Sequence, residues 1–348
     1  MLRHLARRVH NLATTPNATL RVTGAATKKL IVKTNMETYS AQVEASDEAG
    51  VTLSDDEVAK WTRAEETGDL EVVAGAHAVT ISVPAAFSVS VAMEGACDVE
   101  MQGWIEGTVD LAVSGRGSVG VNTVRGLLTS VSTGGGDVRV DHVEGNLAVR
   151  GARDVKLGKI MGEEVAVEAS GSVGSKALYA KQLELVARGG VQASVLSTEG
   201  GVLTVGADSS LDSTEGCMSV VVTSGDLVVQ ASEQLKKLHV EADVAAPGGA
   251  SIAVHLPSAL PTRAALDVGT LTVDEQLASA EEVRQADGGE LQLSMSGSRA
   301  GSEACELSVR AEGCRVELKQ QSWLEMRLKA MEADGGLKKR QPSAMNRR

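Results

Sequence analysis

Gly115-Arg-Gly117-Ser-Val-Gly120 matches the dinucleotide fingerprint GxGxxG, and Asp141 lies about twenty residues further on. In that chemistry the glycines let backbone approach a pyrophosphate at a helix N-terminus, and the acid takes a ribose hydroxyl. Here Val119, Val121 and Val124 follow and then another glycine, which is strand and corner, not helix. Among 37 glycines such matches arise by chance, and nucleotide binding is not expected. Ser132-Thr133-Gly134-Gly135-Gly136-Asp137 is a flexible Gly-rich corner without the Gly-Lys-Ser/Thr that holds phosphates and magnesium. Nor does it repeat the Gly-Gly-x-Gly-x-Asp nonapeptide of calcium-binding β-rolls. The pairs Gly68-Asp69, Gly136-Asp137 and Gly225-Asp226 read as corners in which Gly takes positive φ, with a weak calcium site as the alternative.

Asp137 and Asp141 fall on one outward strand face, which raises paired-carboxylate chemistry on a sugar, as in pectin-degrading β-helix enzymes. Such clefts usually add aromatic platforms. This chain has three Trp, two Tyr and one Phe, with Tyr39 and Trp61 outside the repeats. The two carboxylates therefore read as solvated surface groups and the chain as no enzyme. Cys97, Cys217, Cys305 and Cys314 contain no CxxC pair, and the six histidines are scattered, so no cluster has zinc spacing. Cys305 and Cys314 are one strand step apart, placing them as neighbours on successive strands. They read as free thiols in a reducing compartment, with a disulfide as the alternative. No catalytic, cofactor-binding or metal-ligating residue is expected.

The elements that must carry these residues are repeats. Gly-x-Val-x-Val/Leu recurs at Gly107, Gly117, Gly126, Gly136 and Gly145, with looser copies at Gly171, Gly190, Gly201 and Gly225. A fixed short period marks a stacked-repeat architecture. Positions two and four after the Gly are apolar, while Asp110, Ser118, Arg139 and Asn146 fall between them. That alternation predicts strands with one face inward. Two such strands plus corners give a turn of roughly 19 residues, so residues 107–256 should make about eight turns of a rod. The hydrophobic fraction is 43% but only 2% is aromatic, which suits a narrow Val/Leu/Ile ladder. The expected fold is an all-β, single-stranded β-helix-like solenoid with capping strands at both ends.

A net charge of −12 argues against nucleic acid as the partner. The charge is uneven: residues 1–36 hold Arg3, Arg7, Arg8, Arg21, Lys28, Lys29 and Lys33, and the first acid is Glu37. An acid-free, Arg- and Ser/Thr-bearing start, with Leu2, Leu5, Val9 and Leu12 at helical spacing, reads as an organelle transit peptide, the alternative being a disordered basic tail. The sequon Asn17-Ala-Thr19 inside it lends no support to secretion. Val72 to Met93 lacks charge over a membrane-spanning length, but Val79, Ile81, Val83 and Phe87, Val89, Val91 alternate with small or polar residues. A β-hairpin turning at Pro84-Ala85-Ala86 is expected there, covering the N-terminal end, and no transmembrane segment. The division is 1–36 leader, 37–67 irregular lead-in, 68–328 solenoid and 329–348 disordered basic tail with Lys338-Lys339-Arg340. Leu256-Pro257 to Pro261 breaks the pattern, and strands at Gly289–Leu293 and Cys314–Leu318 close it.

The stretch Arg315-Val-Glu-Leu-Lys-Gln-Gln-Ser-Trp323-Leu324 resembles the closing strand and Trp-plus-apolar ending of a eukaryotic group, the family with sequence similarity 185. Those belong to the "putative adhesin" β-solenoid domains of unknown function. Lys176-Ala-Leu-Tyr179, Gly189-Gly190-Val191, Thr198-Glu-Gly-Gly201 and the run from Gly225 through Pro257 are similar too, so that the likeness covers roughly residues 70 to 328. The resemblance implies a right-handed solenoid and, for eukaryotic members, a mitochondrial (matrix) location, with the cytoplasm as the alternative. It carries no catalytic residues. The reading is a non-enzymatic scaffold for an unknown protein partner. Its alternatives are a self-associating structural rod and, behind that, a glycan-active enzyme.

Overall fold

The computed structural model describes residues 9–13, 18–25, 29–35, 40–46, 59–63, 70–74, 78–242, 250–274, 282–285, 291–295 and 304–321. Valines at every second position make strands, and through the central repeats each strand pairs in parallel with its equivalent one turn later. The step is twenty residues from Val89 to Val109 and to Thr129, then eighteen from Leu147 to Val165 and to Leu183. The described strands number twenty-five, and all belong to one continuous hydrogen-bonded sheet.

Two rows of strands face each other across the core. One row stacks Val72, Val22, Val91, Leu111, Val131, Val149, Val167, Leu185, Leu203, Val220, Val240, Val309 and Leu266. Every one of these is at most 2% exposed. The other row runs from Ile81 and Val32 through Met101, Val121, Val140 and Leu157 to Leu318 and Val273. Thirteen rungs at about 4.8 Å make a ladder roughly 58 Å long. Each buried Val or Leu contributes roughly 1.5–3 kcal/mol, so this column of side chains is the main source of stability. The row from Val109 to Leu238 holds the eight turns anticipated between residues 107 and 256.

The ends are threaded in a way the local pattern does not announce. Strands Thr19–Ala25 and Lys29–Asn35 lie inside the stretch 1–36 read as leader, yet they form a complete rung. Leu20 is in register with Leu70 on one side and Val89 on the other, and Leu30 with Val79 and Val99. Leu20 and Leu30 are fully buried. Consecutive strands Ala78–Pro84 and Ser88–Glu94 are therefore not the expected hairpin. They lie in different rows, with the N-terminal rung between their turns. Alternation had pointed to strands correctly but is blind to which strand pairs with which. The lead-in 37–67 also contains strands: Ser40–Ser46 runs antiparallel to Ala78–Pro84, and Ala59–Arg63 to Leu70–Ala74. These cover the N-terminal end in place of the expected hairpin.

The other end repeats the device. Strand Cys305–Gln321 inserts between Leu227–Ala242 with Ser251–Pro257 on one side and Thr262–Val273 on the other. It is the last but one rung, and Leu291–Met295 lies antiparallel on Thr262–Val273 as cover. The tail 329–348 lies outside the described residues.

Candidate functional site

Each turn has two corners, and several of the residues singled out for chemistry sit on them, while Asp141, Cys305 and Cys314 lie within strands. On one corner side chains stitch rung to rung. Asp98 Oδ1 accepts from Ser118 N at 2.8 Å and Ser118 Oγ at 2.7 Å; Asp154 Oδ1 does the same with Ser172 at 2.8 and 2.9 Å. Asp208 accepts from Asp226 N and Asp226 from Ser251 N. These bonds from Ser172 hold the Asp154 carboxyl below its ordinary range. Of the Gly-Asp pairs, Asp226 is a fastener of this kind, Asp137 is held by Arg153, and Gly68-Asp69 lies outside the described residues. Gly225 has φ +78°, as expected, but Gly136 does not lie in that region. Gly136 is glycine because a Cβ would meet the Gly117 carbonyl oxygen at 1.8 Å.

Asp137 and Asp141 do not converge. Arg153 donates to both oxygens of Asp137 at 2.9 and 2.7 Å, and Arg139 to both of Asp141 at 2.8 and 3.0 Å. Each carboxylate is taken by its own guanidinium, so neither is poised for proton transfer on a common substrate. Gly115 to Gly120 forms a corner leading into strand Val119–Val124, with no helix for a pyrophosphate to face. The thiols are free. Cys305 and Cys314 are not on successive strands but on one strand, Cys305–Gln321, in its two different rows. Burial pushes the Cys97 thiol up to about 11 and the Cys305 thiol up to about 12. Among the described residues no three His, Cys, Asp or Glu side chains gather as a metal site. Within Val72 to Met93 the described residues form strands Leu70–Ala74, Ala78–Pro84 and Ser88–Glu94 with a turn at 85–87, and no described helix is long and apolar enough to cross a membrane.

The opposite corner carries a column of glycines. A Cβ on Gly126 would sit 1.9 Å from the Gly107 carbonyl oxygen, and one on Gly145 1.9 Å from that of Gly126. Further along, this corner opens into a groove of about 900 Å³. It crosses five successive turns, from Met161 and Gly162 past Tyr179–Lys181, Ser197–Glu199 and Glu215–Cys217 to Glu233–Lys236, and Leu260 walls one end. Its floor follows from the register: Gly162, Ala180, Thr198 and Gly216 are stacked partners, small enough to keep the corner concave. Thr198 fixes the middle, its Oγ1 donating to the Lys181 carbonyl at 3.3 Å and accepting from Gly200 N at 3.2 Å. Tyr179 is 39% exposed on the rim. Lys181 is ion-paired with Glu163 of the preceding turn, each raising or lowering the other toward its charged form. The remaining rim charges are Glu199, Glu215, Glu233 and Lys236. Cys217 is half-buried in the wall, whereas Cys97, Cys305 and Cys314 are at most 2% exposed. Motif reading missed this groove, because its residues are eighteen apart and no two are adjacent in a recognisable phrase.

No protein-family model matches the chain, and no curated protein sequence does. Solved structures that it is similar to include a "putative adhesin" from Bacteroides fragilis, 11% identical, covering 72% of this chain and 97% of that one with a TM-score of 0.33. A second, from Parabacteroides distasonis and described in the same words, is 10% identical over 89% of this chain and 96% of that one, TM-score 0.35. A "putative cell adhesion protein" from Clostridium sporogenes is 10% identical over 90% and 100%, TM-score 0.18. At these scores the likenesses carry no statement about what this chain binds.

Proposed function

We propose that this chain is a non-enzymatic interaction module that holds a partner protein along the groove. The groove itself carries the reading: an open channel across five turns presents an aromatic, a floor of small residues and an acidic rim to an extended ligand. Solenoids bind through long faces of this kind. The neutralised Asp137 and Asp141 speak for binding over catalysis. Antiparallel strands covering Leu70–Ala74, Ala78–Pro84 and Thr262–Val273 oppose end-to-end rod formation. In this reading the likeness to the family with sequence similarity 185 is genuine and the module works in mitochondria. Its leader then ends before Val9, because Val9–Ala13 pairs with Ser40–Ser46, and Arg3, Arg7 and Arg8 are its basic residues. Affinity capture from mitochondrial extract tests this. The wild type should retain a stoichiometric partner that Tyr179→Ala with Glu199→Lys loses. Capture of the same proteins by both, or of none by either, contradicts it.

A further inference from the structure

The groove-side corners are not uniform along the rod. Counted between flanking core positions, corners 125–128, 161–164, 179–182 and 197–200 hold four residues, whereas 144–146 and 215–217 hold three. The additional residue stands out from its corner. It is Leu127, Glu163, Lys181 and Glu199 in turn, and all four are exposed. Leu127 is the extreme case at 86%, with Leu128 beside it at 45%. A leucine so placed buries almost no area within its own chain, so it adds little to the fold.

In chain order these six corners run raised, low, raised, raised, raised, low. Turned end for end, the strip runs low, raised, raised, raised, low, raised. Laid against a reversed copy of itself, Leu127 falls on the low corner 215–217 and Glu199 on the low corner 144–146. The two central corners meet each other, and there Glu163 faces Lys181. These two already pair within one copy, so four charges of alternating sign gather at the centre. The first residues of the corners agree as well. Arg125 faces Glu215, and Met161 faces Tyr179, a thioether against a ring. Arg125 is held in place for this by Glu144 at 3.6 Å and by the Trp104 ring beneath it at 5.4 Å. Every pairing occurs twice, as a two-fold axis requires. Relief, charge and apolar contact agree on one occupant.

We propose that two copies of this chain lie side by side in opposite directions, corner to corner, about a two-fold axis between the turns of Gly162 and Ala180. Leu127 of each copy enters the far end of the other's groove, where Cys217, Leu235 and Leu260 form the wall. This names a second copy as the protein the groove holds, and so rests on the binding role given to the groove above. Six turns span about 24 Å. That is a small interface, and the dimer is expected to be weak.

Two measurements on the full-length chain test it. In Leu127→Cys, oxidation with diamide should join position 127 of one copy to Cys217 of the other, because Cys97, Cys305 and Cys314 are buried. Adding Cys217→Ser should abolish the covalent dimer, since the two 127 positions lie about 24 Å apart across the axis. A link from 127 to 127, or no link between copies, overturns the proposal. In sedimentation, the unmodified chain should pass from monomer to dimer as concentration rises. Arg125→Glu alone and Glu215→Arg alone should each weaken the dimer about tenfold or more, and the two together should restore it. A combined variant no tighter than either single one overturns the pairing, as does a wild type that stays monomeric up to about 1 mM. Dimer and partner capture fail separately. A monomer that still captures another protein overturns the dimer alone, while a dimer that captures nothing else supports the dimer and overturns only the capture expected above.

Discussion

At the residue scale the decisive contacts are between backbones. In the groove-side corner Gly107, Gly126, Gly145, Gly162 and Gly216 each lie against a carbonyl of the turn below, and a Cβ at Gly126 has nowhere to go. Gly174 has open space around its Cβ position. Gly126→Ala should therefore cost roughly 2–3 kcal/mol, while Gly174→Ala should change stability by less than about 0.5 kcal/mol. Denaturant melts of the two variants check this. The recurrence of glycine in the sequence is thus a record of close stacking more than of positive φ, which is why the motif was legible but its cause was not. Buried thiols supply a second expectation. Cys97 is raised from 9.0 to about 11 by burial and by Asp98. A raised thiol favours the native state while it stays protonated. That contribution is complete below pH 9 and is lost as the unfolded chain ionises, until the folded thiol ionises near 11. Over that window Cys97→Ala should lose stability less steeply than the wild type by about 1.4 kcal/mol per pH unit, read from melts at stepped alkaline pH.

At the element scale the strands behaved as alternation requires, while their order did not. Thr19-Leu-Arg-Val and Lys29-Leu-Ile-Val carry the same every-second-residue apolar pattern as the repeats. Acid-free composition pointed to a leader, and outward positions explain it instead: Arg21 and Lys33 are exposed on strands, and Lys29 pairs with Glu100 at 3.3 Å. Insertion is further keyed by Thr34, whose Oγ1 accepts from Trp104 N at 3.1 Å beside Gly103 at φ +90°. Local sequence cannot encode such a pairing, because its partners are about seventy residues away. Removing residues 1–8, which precede the first described strand Val9–Ala13, should leave the melting temperature within a few degrees, whereas removing 1–36 deletes a whole rung. The latter strips partners from Leu70–Ala74, Ala78–Pro84, Ser88–Glu94 and Asp98–Ile105 together. Calorimetry should show a loss of at least about 10 °C, given that 1 kcal/mol moves a chain of this size by roughly 2–4 °C. Equal melting of both truncations would contradict the threading.

At the scale of the whole molecule, Thr19–Ala25 with Lys29–Asn35 and, at the other end, Cys305–Gln321 are interior rungs, with strands from elsewhere in the sequence stacked outside them. The fold class and the eight central turns were open to reading because Val-x-Val states inside and outside residue by residue. The groove was not, because it exists only once corners eighteen residues apart are stacked and small side chains coincide at Gly162, Ala180, Thr198 and Gly216. The groove depends on that stacking, which makes the threaded ladder the claim on which the functional reading stands. Hydrogen exchange of the full-length chain, resolved by mass spectrometry, tests it most directly. The account predicts that amides of Thr19–Ala25 and Lys29–Asn35 are protected as deeply as those of Val109–Val113, because all are central strands of one ladder. Exchange of the two N-terminal strands within seconds, beside a protected Val109–Val113, would contradict it.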